Sequence, residues 1–436
     1  MTSTALSTGE TIMSRKKPEE VFTPRAHEVN ERMYVTRPEL ERALVNALKT
    51  NKHIIVHGES GSGKSWLYKK VLPEQGCGYL VADLSNASRF NSITKEFENL
   101  ISRRGDAEKK EYTESKEASA DALVASGTVS HAATYQLFSK DPFERCLQFV
   151  RKQAGSKPAA IILDNFERVV GNPDLVKELG DIIALADNPD YAKHNVRLVI
   201  VGVPNDIRGY FAKIDQQNTI ANRLTEIPEV ERLTTEQLYA FVEKGLVTEL
   251  KYKIEPETLK LAKDHICWVT DRIPQHLHEY CYELAQVIES QECVMKAGDL
   301  EIADANWLNN SLVGCYAVVE GHLNSRRTTT GRRNQAIYAL GAAGKHDLRY
   351  VEVEDIIRAE FAQSTAGLQL NVVQIMAALT EGEQPLIVRT PQGDAFRFSN
   401  PKFRMCIRAM LTKDSTGRVL KLDMRRIERV NLPDEE

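Results

Sequence analysis

The chain has 436 residues, more than a single hydrophobic core usually serves, so two or three domains are expected. Hydrophobic residues at 42% and charged residues at 27% are ordinary for a folded protein, and a formal net charge of −4 excludes a general electrostatic attraction to nucleic acid. Seven scattered cysteines without a Cys-x-x-Cys pair argue against a zinc or disulfide framework, and no stretch reaches the roughly 20 apolar residues of a membrane helix, so a cytoplasmic protein with reduced thiols is expected.

Residues 1–33 are rich in Thr, Ser, Glu, Lys and Pro and read as a mobile arm, or one that orders only on contact. From Pro38 the apolar positions Leu40, Leu44 and Leu48 recur at helical spacing, with Thr36 as N-cap and Pro38 in the first turn. The apolar run His53-Ile-Ile-Val-His57 then leads into Gly58-Glu-Ser-Gly-Ser-Gly63-Lys64-Ser65, and a helix from Ser65 to Leu72 is expected to stop at Pro73. A second buried strand is expected at residues 79–84. Residues 103–134 are charged, rich in small side chains and aperiodic, and read as an insertion. Residues 159–164 and 196–202 are near-continuous apolar runs of the kind a parallel sheet buries on both faces, with helical patterns at 143–152 before the first and at 175–186 between the two. This alternation predicts a doubly wound α/β domain over residues 34–232.

Beyond Thr234 the patterns are helical only, as in Leu238, Phe241, Val242 and Leu246 and again in Leu277, Tyr280, Cys281 and Leu284. They predict a helical lid domain over 233–325. Helices are then expected near 334–343, 353–361 and 371–380, and residues 385–398 read as two strands around a turn at Gln392-Gly393. Three helices followed by a hairpin describe a winged helix over 326–412, which leaves 413–436 as a charged tail.

The chemistry concentrates in the glycine-rich loop. Its pattern is that of a P-loop, in which glycines let backbone N–H groups wrap around phosphate oxygens at angles a Cβ would block. Lys64 would neutralise the β and γ phosphates of ATP, Ser65 would offer its hydroxyl to Mg²⁺, and the following helix adds its N-terminal dipole. Gly58, Glu59, Ser60, Gly61, Ser62, Gly63, Lys64, Ser65 and the adjoining Trp66 are thus the expected ATP-binding segment. Asp164, at the end of a buried strand, is placed as the second Mg²⁺-binding group. Many ATPases carry a glutamate directly after that aspartate to activate water; here the position is Asn165, and the nearest acid is Glu167, the candidate catalytic base. Asn205, just past the next strand, is a candidate sensor of the γ-phosphate. Arg223 is a candidate finger offered to a neighbouring subunit, with Arg208 competing for that role.

The order of these motifs resembles the AAA+/STAND superfamily, in particular archaeal origin-recognition and bacterial transposition-type ATPases. The resemblance rests on Tyr34-Val-Thr-Arg-Pro-Glu-Leu-Glu41, the P-loop, Leu163-Asp-Asn-Phe-Glu167, Val201-Gly-Val-Pro-Asn205 and Pro274-Gln-His-Leu277. It covers residues 34–284, and the winged helix extends it to Leu411. It implies that Tyr34 and its neighbours contact adenine and that ATP promotes ring or filament assembly. Two departures matter: Gln275 stands where the family often has arginine, and Asn165 replaces the usual glutamate. Both imply slow hydrolysis, which suits a switch better than a motor.

No Lys or Arg occurs from Glu360 to Val388, and the expected recognition helix near 371–376 is neutral and apolar, so protein contact is the better expectation for that face. Basic residues cluster instead at Arg326, Arg327, Arg332 and Arg333, and at Arg397, Lys402, Arg404 and Arg408. The leading functional expectation is an ATP switch that oligomerises and controls a protein partner, in a setting such as bacterial antiviral defence. The alternative is a DNA-binding ATPase of origin-recognition or transposition type. A small-molecule kinase would need neither the helical domain nor the winged helix.

Overall fold

A computed structural model describes residues 15–104, 141–202, 218–324, 331–390 and 393–422. Asn205, Arg208, Arg326, Arg327, Gln392 and most of the expected insertion lie outside these residues. The chain divides into two compact units, one of Thr36–Glu231 and one of Met1–Val35 with Arg232–Glu436.

The first unit is built on a parallel sheet of β1 (His53–His57), β2 (Gly78–Asp83), β3 (Ala159–Asp164), β4 (Arg197–Gly202) and β5 (Leu224–Glu226), in the spatial order β2-β3-β4-β1-β5. Alternate residues of each strand serve opposite faces, so Ile54 and Val56 join one core and Ile55 the other. The first core is covered by the helices Pro38–Leu48 and Lys64–Glu74, the second by Ile93–Arg103, Pro142–Ala154 and Pro173–Ala186. This is the doubly wound arrangement that the continuous apolar runs predict, and its parallel sheet and helices fit the AAA+ type of P-loop fold. β5 has no forecast in the sequence, because three residues are too short to show a period.

Two helix ends differ from expectation. Arg37, not Thr36, is the N-cap of Pro38–Leu48, and its backbone N–H is held by Glu41 Oε1 at 2.9 Å. The helix after the loop also runs through Pro73 to Glu74, because a proline in the last turn forfeits only one bond.

The second unit has one continuous core running from Val21 to Leu411. Residues 15–33, expected as part of a mobile arm, are ordered on contact: Val21 and Phe22 are buried, and Phe22 packs against Phe241 and His278. The helices Arg332–Ala342, Tyr350–Glu360 and Val372–Ala378 are followed by the antiparallel pair β6 (Ile387–Arg389) and β7 (Phe396–Phe398), and Leu348 bridges to Phe396. Part of the expected tail is structured too, since β8 (Leu411–Lys413) pairs with β9 (Val419–Lys421).

The helix Lys402–Met410 corrects the reading of the second basic cluster. Every residue from Phe403 to Met410 is buried. Arg404 and Arg408 turn inward to Asp271, at 3.2 and 3.0 Å, while Arg397 pairs with Asp347 at 3.1 Å. Two of the four cations counted toward a DNA surface are therefore core residues. Among the described residues no helix is long and apolar enough to cross a membrane.

A buried histidine in each unit predicts acid lability. His53 is 2% exposed; its Nδ1 accepts the Leu198 N–H at 3.1 Å, and burial pushes it down to about 4, with Asp187 opposing. His278 accepts the Thr23 N–H at 3.1 Å, and burial alone pushes it down to about 4. Below the ordinary histidine value the unfolded chain takes up protons that the folded chain refuses, so stability falls as pH drops from about 6.5 toward 4, by about 3 kcal/mol for each histidine. Urea unfolding at pH 7 and pH 5 checks this; equal midpoints would contradict it.

Candidate nucleotide site

β1 ends at His57, and the loop turns away at once. Gly58 has φ +152°, and a Cβ there would lie 2.5 Å from the carbonyl oxygen of Val230, whose own N–H donates to His57 O at 2.8 Å. Only glycine allows that approach. Gly63, at φ +97° in the left-handed region, is the N-cap of the helix Lys64–Glu74, so the positive end of that helix's dipole lies at the loop. Arg37 braces the loop from outside, donating to Ser62 O at 2.7 Å and Glu231 O at 3.2 Å. Sequence reasoning placed Arg37 only within a motif associated with adenine contact, since a backbone-bracing role leaves no spacing signal.

Lys64 Nζ donates to the carbonyls of Gly58 at 3.0 Å and Glu59 at 2.9 Å. Burial pulls its pKa down, while Glu167, Asp164, Glu59 and Glu229 oppose, Glu167 most strongly. The half-buried ammonium thus stands among acids and turns toward its own loop.

Asp164 closes β3, with β4 between it and β1. Its Oδ2 accepts from Ser65 Oγ at 3.1 Å and from Tyr68 OH at 2.8 Å, and its Oδ1 accepts from the Asn165 backbone N–H at 2.9 Å. Asn165 sits at φ +64°, a left-handed conformation that asparagine tolerates, and turns the chain into a short 3₁₀ helix, Phe166–Arg168. Its side chain donates to Asp83 Oδ1 at 2.8 Å; the same oxygen caps the helix Leu84–Phe90 by accepting from the Ser85 N–H at 2.8 Å. Asp83 and Asp164 are register partners on β2 and β3. The position where a catalytic glutamate was sought is therefore a turn residue that ties two strand ends together, and Glu167 projects from the turn, exposed.

Ser65, Lys64 and Asp164 lie together; Trp66 is half-buried on the same helix. Arg223 does not join them. Its backbone carbonyl accepts the His53 N–H at 2.9 Å and its Nε pairs with Asp187 at 2.5 Å, at the end of the sheet opposite the loop. Tyr34 belongs to the other unit, where its N–H donates to Asn30 O at 2.8 Å. Tyr68 and Asp83 escaped the sequence reading, since a tyrosine one turn past the loop reads as core and an acid at a strand end as a cap.

The residues present fit a nucleoside triphosphate with Mg²⁺. Gly58 and Gly63 let the loop take backbone angles that a side chain would hinder, and the serine hydroxyl and aspartate carboxylate form an all-oxygen donor set suited to a hard cation. A lysine and a helix N-terminus supply the matching positive field for phosphate.

No curated protein matches the chain. Among solved structures it is similar to the Walker-type ATPase PABY2304 of Pyrococcus abyssi, at 14% identity over 86% of this chain and 96% of that one, with a TM-score of 0.46. It is similar to the ORC2 protein of Aeropyrum pernix in its ADPNP–ADP complexes, at 13% identity over 89% and 96%, with a TM-score of 0.47. It is also similar to the RuvB Holliday junction branch migration motor of Thermotoga maritima, at 11% identity over 87% and 97%, with a TM-score of 0.39. A family model described as an AAA domain matches residues 47–211, a segment that includes β1 to β4 and the glycine-rich loop.

Proposed function

We propose that the chain binds ATP with Mg²⁺ at the loop and Asp164, hydrolyses it slowly, and acts as a nucleotide switch that self-assembles and controls a protein partner. The observation that carries the nucleotide reading is the approach of Ser65 Oγ to Asp164 Oδ2, 3.1 Å, beside Lys64. On binding, Lys64 would exchange the two loop carbonyls for phosphate oxygens, while Ser65 and Asp164 would hold Mg²⁺, which supplies charge neutralisation at the γ-phosphate. Asn165 has no proton-accepting group to offer and is engaged with Asp83, so water activation falls to Glu167 from an exposed 3₁₀ turn. A base held so loosely supports slow turnover.

Glu167→Gln is expected to lower ATP turnover about 100-fold while ATP affinity stays unchanged, because a general base acts on the chemical step alone. Steady-state phosphate release and equilibrium ATP binding check it; unchanged turnover would remove Glu167 from the mechanism.

The preference for a protein partner over DNA is supported by the inward turn of Arg404 and Arg408 and by the exposed Val373, 57% accessible, on the helix Val372–Ala378. Duplex DNA binding followed across salt concentrations, with and without ATP, tests it. Weak binding at physiological salt is expected; tight binding that falls steeply with salt would favour the DNA-binding ATPase instead.

A further inference from the structure

Tyr68 lies one turn beyond Ser65 on the helix Lys64–Glu74, so the two hydroxyls point from the same side of that helix. Its side chain is completely buried, and its ring sits edge-on to Tyr79, with centroids 6.3 Å apart, inside the core under the sheet. A buried tyrosine there needs no hydroxyl for packing. The hydroxyl nonetheless reaches Asp164 Oδ2 at 2.8 Å, closer than the 3.1 Å of Ser65 to the same oxygen. With the Asn165 N–H on Oδ1, the carboxylate is gripped on both oxygens by donors from three chain positions.

These donors differ in what they can do. Ser65 is itself placed to be a cation ligand, and the Asn165 N–H moves with the backbone turn. Tyr68 is fixed by its packing.

We propose that Tyr68 is a positioning residue, whose hydroxyl fixes the plane of the Asp164 carboxylate and thereby sets the affinity of the site for the divalent cation, leaving affinity for the nucleotide alone to the loop. The proposal rests on the nucleotide reading above. Partners that orient a metal-binding carboxylate typically change metal affinity about tenfold or more when removed.

The test uses the full chain and a fluorescent ATP analogue, mant-ATP, titrated with Mg²⁺ at fixed nucleotide and separately in a chelator. For Tyr68→Phe, the Mg²⁺ concentration giving half of the cation-dependent signal is expected to rise about tenfold, with affinity in the chelator unchanged. The same substitution in an Asp164→Asn background is expected to add no further shift, because Tyr68 acts through that carboxylate. Superimposed Mg²⁺ titrations of parent and Tyr68→Phe would overturn the proposal while leaving the nucleotide reading intact. An equal loss of affinity with and without Mg²⁺ would also overturn it, as the mark of a packing role. If the unaltered chain bound no mant-ATP, the nucleotide reading would fall and the proposal with it.

Discussion

Lys64→Ala is expected to lower ATP affinity at least about 100-fold while the chain stays folded. The ammonium is the positive charge facing Asp164, Glu167, Glu59 and Glu229. Without it, a triphosphate would enter beside these carboxylates with one cation fewer to offset them. Two unit charges 4 Å apart interact by about 4 kcal/mol at the effective dielectric near a protein surface, enough for a loss of two to three orders of magnitude in affinity. The folded state should tolerate the change, since the side chain bonds only to two carbonyls of its own loop. Thermal unfolding with and without ATP separates the two effects: the parent should be stabilised by ATP through mass action, and the variant should unfold at the same temperature either way. A variant that binds ATP as tightly as the parent would remove Lys64 from phosphate recognition.

Asp271→Asn is expected to destabilise the second unit by about 3–5 kcal/mol, the range found when one member of a buried ion pair is removed. Asp271 ends the helix Pro256–Thr270 in a left-handed conformation, φ +51°, and receives Arg232 at 2.5 Å, Arg404 at 3.2 Å and Arg408 at 3.0 Å. Arg404 and Arg408 are 3% and 5% exposed at their side chains. Backbone carbonyls share the load, since Arg408 also donates to Gly341 O at 2.7 Å and Trp268 O at 2.9 Å, and its guanidinium lies 4.3 Å from the Trp268 ring centroid. Carbonyls cannot replace the negative charge of Asp271. Loss of that charge leaves two buried cations facing each other, a cost large against a total stability of about 5–15 kcal/mol.

Lowering the pH should imitate the substitution. Burial alone would raise the Asp271 pKa, but Arg408, Arg232 and Arg404 outweigh it and hold it below the usual carboxylate value. The cluster therefore contributes its stability above the ordinary aspartate range and loses it as pH falls toward the depressed value. Chemical unfolding of the parent and Asp271→Asn at neutral pH checks the main expectation; a difference under about 1 kcal/mol, the worth of an exposed pair, would contradict it.

The parts legible in the sequence were those with local periodicity. The strands at 53–57 and 159–164 have the predicted bounds because apolar runs flanked by turn residues need no knowledge of neighbours. The P-loop was legible because its glycines answer to backbone geometry. What was hidden depends on partners far apart in the chain. Arg404 and Arg408 look like surface cations until Asp271, more than 130 residues earlier, is brought beside them. Phe22 looks like part of an unstructured arm until Phe241 and His278 cover it. Asn165 looked like a missing catalytic glutamate, whereas its left-handed turn and its bond to Asp83 give the position a structural reason. Tyr68, at helical spacing from core residues, was indistinguishable from one of them.

The central claim is that Gly58–Ser65 and Asp164 form one site for ATP and Mg²⁺. Equilibrium binding of ATP to the full chain, measured by calorimetry with Mg²⁺ and again in a chelator, tests it most directly. One nucleotide per chain is expected, bound more tightly with Mg²⁺ than without, with the Mg²⁺ advantage lost in Asp164→Asn and binding lost in Lys64→Ala. No binding at millimolar ATP, or binding that neither substitution alters, would contradict it.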